Sequence, residues 1–90
     1  MDFTVIARAG LTQVEFSLLA GVNRVTANMW VRGKMSPHKY IRAKVQALLA
    51  LLEEALTHEL LPVGVPVSSK EDKLVRVRDI LREVSKRPAS

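Results

Sequence analysis

Residues 12–33 read TQVEFSLLAGVNRVTANMWVRG, and the caps and stops inside them predict two short helices joined by a tight turn. Thr12 stands three residues before Glu15. That is capping-box spacing, in which a hydroxyl takes the third residue's N–H and the carboxylate returns to the cap's own N–H. The helix so started runs from about Gln13 to Ala20, and Gly21 ends it, since glycine enters the left-handed conformation at little steric cost. Asn23 can cap a following helix from Arg24 to Arg32, and Gly33 stops that one. Helices joined by so short a turn cannot lie antiparallel and must cross steeply.

A steep crossing presents one face of the second helix to whatever lies outside. At 100° per residue, Arg24, Val25, Asn28, Met29 and Arg32 share one arc. Ala27, Trp30 and Val31 lie largely on the other, the core side, with Trp30 as its anchor. The first arc mixes cationic, amide and apolar side chains, and a DNA groove has uses for each. Arginine can bond guanine bidentately, asparagine can bond adenine, and valine or methionine can touch a thymine methyl. Thr26, Arg32 and Lys34 suit phosphate contacts at its margins. Gln13 lies in a helix first turn, where free N–H groups collect and a phosphate can sit.

The stretch resembles the helix-turn-helix of the phage lambda repressor/Cro family, through Leu11-Thr12-Gln13, Phe16, Gly21-Val22, Arg24, Thr26, Trp30 and Gly33. The resemblance covers about a quarter of the chain by motif. It implies a small all-α bundle of about five helices that binds operator DNA as a dimer. It also implies a phosphate-anchoring place for Gln13 and groove-facing places for Arg24, Val25, Asn28 and Met29. Ser17 departs from the family's usual alanine, and Ala27 from its usual valine or isoleucine.

Outward from this stretch, residues 2–9 predict a first helix with Asp2 as cap, Phe3, Ile6 and Ala7 inward, and Gly10 as stop. Leu11 should fill the corner behind it. In the second helix Val14, Phe16, Leu18 and Leu19 exceed what one face needs, so some should meet other helices. Ser36-Pro37 reads as a cap followed by proline at the first helical position, opening a long fourth helix to about Leu60. Its stripe of Ile41, Val45, Leu48, Leu49, Leu52, Ala55 and Leu56 is wide enough to leave part for a second subunit. Lys39, Arg42 and Lys44 cluster at its start and Glu53, Glu54 and Glu59 at its end, the reverse of what the helix dipole favours. A DNA backbone beside that start gives Lys39 a use as a phosphate contact.

Leu61 to Val67, LPVGVPV, ends the helix and predicts a short extended segment. A last helix from about Ser69 to Lys86 follows, with Leu74, Val77, Ile80, Leu81 and Val84 on one face. The expected organisation is therefore a helix-turn-helix bundle over 1–60, an extended linker over 61–68, a C-terminal helix over 69–87 and a tail over 88–90. Leu52, Leu56, Leu74, Val77, Leu81 and Val84 are the expected dimerisation residues.

The totals agree with a small DNA-binding domain. The chain has 90 residues and a formal net charge of +5, favouring an anionic partner. It holds no cysteine, so no disulfide framework or thiolate metal site is available. No nucleophile–base pair, metal-ligand cluster or phosphate-cradling glycine loop stands out. Neither enzymatic activity nor a cofactor is expected. The leucine-rich stretch is interrupted by glutamates and too short to span a bilayer. The expectation is a cytoplasmic, sequence-specific transcriptional regulator, a repressor rather than an activator, bound to double-stranded DNA as a homodimer. RNA polymerase or another protein is a further candidate partner. The alternative is an antitoxin-type interaction module that keeps the same helix-turn-helix for autoregulation.

Overall fold

The computed structural model describes residues 2–63 and 69–86, and these fold into five α-helices with no strand among them. The helices are α1 (Thr4–Arg8), α2 (Gln13–Ala20), α3 (Arg24–Val31), α4 (Lys39–Thr57) and α5 (Lys70–Lys86). Residues 61–63 of the expected extended segment carry no strand, and residues 64–68 lie outside the described residues.

The central pair begins and ends where its caps lie. Thr12 Oγ1 accepts the Glu15 N–H at 3.1 Å, and Glu15 Oε1 accepts the Thr12 N–H at 2.8 Å. Gly21, at φ 75°, turns the chain in the left-handed region. Asn23 Oδ1 then accepts the Thr26 N–H at 2.8 Å and starts α3. The outer helices differ from their predicted bounds. In α1, Asp2 accepts both the N–H and the hydroxyl of Thr4, and these donors, the hydroxyl first, hold its carboxyl below the usual range. The helix itself begins only at Thr4 and turns Val5, Ile6 and Ala9 inward, with Ala7 exposed. α4 starts at Lys39, not behind Ser36. Pro37 is buried as a packing wedge, and His38, in extended backbone, supplies the cap by accepting the Tyr40 N–H through Nδ1 at 3.3 Å.

Four helices close with the same wrap-around bond, in which the N–H just past a left-handed residue reaches a carbonyl five positions back. These bonds run from Leu11 to Ile6, Val22 to Ser17, Lys34 to Met29 and Leu60 to Ala55, at 2.8–3.0 Å. Three use glycine at the left-handed position, whereas α4 uses Glu59, at φ 60°. Gly10 carries a second demand, because a Cβ there would stand 2.7 Å from Pro62 Cβ. Glu59 sits in a conformation that costs an L-residue about 1–2 kcal/mol, part of which glycine loses again as unfolded-chain entropy. Glu59→Gly should therefore raise stability by about 0.5–1 kcal/mol, seen as a thermal midpoint a few degrees higher. A lower midpoint would show that the Glu59 side chain makes contacts that outweigh the backbone strain.

α4 is the spine. It packs against α1, α2 and α5, while α2 packs on α3. Phe16, Ala27, Trp30, Val45, Leu49, Leu52 and Ala55 meet in one core, and Leu11 fills the α1–α2 corner as expected. The same core takes in Val77, Leu81 and Val84 of α5, with Leu74 also buried. This corrects the dimerisation assignment. Leu52, Leu74, Val77, Leu81 and Val84 are buried within one chain, and Leu56 is half-buried against that core. The surplus width of the α4 stripe is covered by the chain's own last helix. An apolar stripe reports that something covers it, and a second subunit is only one candidate cover. Of the four large apolar residues of α2, Phe16 is buried and Leu19 packs on the core, while Val14 and Leu18 are exposed.

Candidate nucleic-acid interface

The face of α3 turned away from Ala27 and Trp30 is open. Arg24 and Arg32 are exposed, Val25 is 64% exposed, and Asn28 and Met29 are half-buried. These are the residues read from sequence as one arc. The cleft where this face meets the start of α2 has a volume near 520 Å³ and is lined by Thr12, Gln13, Val14, Arg24, Val25 and Asn28. Val14 was missed in the sequence because apolar residues on a short helix default to the core.

Gln13 and Asn28 are joined. Asn28 Nδ2 donates to Gln13 Oε1 at 2.7 Å across the α2–α3 corner. The bond engages one amide hydrogen of Asn28. Its Oδ1 and second Nδ2 hydrogen remain to accept from an adenine amino group and donate to N7. The NH2 of Gln13 remains to donate to a phosphate. Two residues read separately in the sequence thus form one unit, in which a candidate phosphate anchor braces a candidate base reader.

The other candidate phosphate contacts are dispersed around this unit. Thr26 is half-buried, with its N–H taken by Asn23. Arg32 is the C-terminal cap of α3, and Lys34 is exposed beyond it. Lys39 is exposed at the start of α4, its Nζ 5.3 Å from the centre of the exposed Tyr40 ring. That ring lies 4.9 Å from the ring of His38.

Behind the corner sits a partly buried ion pair that sequence reading did not find. Glu15 is 4% exposed, and Lys73 of α5 reaches its Oε1 at 3.0 Å. The same ammonium donates to the Gly10 carbonyl at 2.8 Å. Burial works to raise the Glu15 carboxyl, but the Thr12 N–H and the Lys73 ammonium overcome it and hold Glu15 below the usual glutamate range. No spacing links residues 58 positions apart, so no sequence signal pointed to this pair. Ser17, the departure from the usual alanine, is buried with its hydroxyl donating to the Val14 carbonyl at 2.6 Å.

Among the described residues no group of His, Asp and Glu side chains is placed to hold a metal ion, and no helix is long and apolar enough to cross a membrane. A second, wider groove of about 790 Å³ runs between α1, the end of α3 and the start of α4, with Phe3, Ile6 and Trp30 among its lining and Asp2, Arg42 and Gln46 polar members. Comparison of the chain with family models, with curated proteins and with solved structures finds no match in any of the three.

Proposed function

We propose that this chain is a sequence-specific double-stranded DNA-binding transcriptional regulator, a repressor rather than an activator. In this reading α3 enters the major groove. Arg24, Val25, Asn28 and Met29 meet base edges, while Gln13, Thr26, Arg32, Lys34 and Lys39 meet phosphates. The observation that carries it is the Asn28–Gln13 bond beside exposed Arg24 and Val25. The bond holds the Asn28 amide in one place beside these exposed residues, which suits a reading role better than a freely solvated face does. The resemblance to the lambda repressor/Cro family and the net charge of +5 support the same reading.

The reading includes two copies on a roughly palindromic operator, with reader helices about 34 Å apart on one side of the duplex. Those copies meet through surface other than the α4–α5 stripe, which is core. The alternative, an antitoxin-type module whose last helix covers a partner, would have been favoured by an exposed Leu74–Val77–Leu81 face. These residues are buried, so that support is missing.

Selection of duplexes from a random pool at physiological salt tests the proposal, with an inverted repeat as the expected product. On the selected site Arg24→Ala should cost about 1–3 kcal/mol and relax the preference at one base pair per half-site. Equal binding to all sequences, before and after the substitution, would overturn it.

A further inference from the structure

We propose that Lys73, on the last helix, is a positioning residue for base reading: by holding the Glu15 cap it fixes the first turn of α2, and with it the Gln13 side chain that braces Asn28. The inference rests on the DNA-reading role argued above and adds a residue that lies outside the reading motif.

The contacts form an unbroken series. Lys73 Nζ donates to Glu15 Oε1 at 3.0 Å, and that same oxygen accepts the Thr12 N–H at 2.8 Å. Thr12 Oγ1 takes the Glu15 N–H in return, closing the box that starts α2. The next residue in the chain is Gln13, whose Oε1 accepts from Asn28 at 2.7 Å.

The electrostatics explain why a cation is needed there. The carboxylate of Glu15 and the Gly10 carbonyl at the end of α1 both present negative oxygen to the same point, and Lys73 Nζ lies within hydrogen-bond reach of each. Without a cation between them the two oxygens repel. The carboxylate then gains by turning towards water and releasing the Thr12 N–H, which loosens the turn that carries Gln13. A bare carboxylate close to the α2 N-terminus would also oppose a phosphate at that terminus, where the helix dipole otherwise favours one. Lys73 removes both penalties. Lys34 and Lys39 are exposed, whereas the Lys73 side chain is only 25% exposed and ends on two acceptors, the buried Glu15 carboxylate and the Gly10 carbonyl at the surface.

The test uses the full chain, with Lys73→Met keeping the stem and removing the charge, and Lys73→Arg restoring it. Two readouts are taken where circular dichroism shows every variant folded. One is the NMR signals of the Gln13 and Asn28 side-chain amides without DNA. The other is discrimination at each base pair of the selected duplex, the pair read by Asn28 being identified with Asn28→Ala. Lys73→Met should shift both amide signals. It should also lower discrimination at the Asn28 pair about 5- to 10-fold, part of what a full bidentate contact supplies, while the preference read by Arg24 stays. Lys73→Arg should restore both readouts. Unmoved amide signals with unchanged discrimination would make Lys73 a structural strut only and overturn the proposal. If the unaltered chain shows no base preference, the DNA-reading role falls, and base positioning by Lys73 falls with it. The amide signals then decide separately whether the series of contacts exists. Should Lys73→Met not fold, Glu15→Gln keeps the cap acceptor while weakening the ammonium's hold. It must shift the same amide signals, and their constancy would equally overturn the proposal.

Discussion

Val77→Asp should leave the chain unfolded. Val77 is fully buried in the core shared by α4 and α5. An unpaired carboxylate there costs several kcal/mol even after relaxation. A small domain with a thin core sits towards the low end of roughly 5–13 kcal/mol of total stability, so a loss of that size unfolds it. Circular dichroism and sedimentation read the outcome together. If α5 served only to pair two subunits, the same variant would be a folded, helical monomer. That result would return the α5 stripe to the role first expected of it.

Trp30→Ala should lower stability by about 3–5 kcal/mol, as for other large aromatic truncations in cores. Trp30 is 2% exposed, and its ring lies nearly parallel to that of Phe3, at 6.4 Å and 27°. Phe3 meets the ring of Phe16 edge-on at 6.2 Å and 77°. The three aromatics therefore tie α3 to α2 and to the residue that precedes α1. Removing the Trp30 ring opens a space that short, capped helices cannot easily collapse to fill. Urea denaturation followed by circular dichroism measures the loss. A change below about 1 kcal/mol, with DNA affinity falling instead, would mean that Trp30 stacks on bases and does not anchor the core.

The parts of this fold that were legible in the sequence are those whose determinants lie within a few residues. α2 starts at Gln13 because Thr12 and Glu15 cap it and ends before Gly21. Asn23 starts α3 in the same way. α4 was misplaced at both ends for physical reasons. Ser36-Pro37 satisfies the local rule for a helix start, but Pro37 is buried ahead of the helix and His38 is the cap. Its end is made by Glu59 in a conformation that sequence reading reserves for glycine or asparagine. Apolar periodicity located the buried face of α5 but could not say that α4 of the same chain covers it. In the candidate site, the outward arc of α3 follows from helical geometry alone. The Asn28–Gln13 bond depends on how two helices cross, and the Lys73–Glu15 pair on how the ends of the chain meet. Neither leaves a periodic trace.

On the proposed DNA-binding role, the reversed charges of α4 have a kinetic meaning. Lys39, Arg42 and Lys44 stand at the end of this helix nearest α3, and Glu53 and Glu54 near the other. Lys39 and Glu54 are separated by about 22 Å along the axis at 1.5 Å per residue. The local cost against the helix dipole sets positive charge at the start of α4, where Arg42 shares a groove with Val31 and Gly33 at the end of α3. A polyanion approaching from a distance rotates such a particle, so that this end leads into the encounter. Association with any duplex should therefore be faster than blind collision allows and should slow steeply as salt shortens the reach of the field.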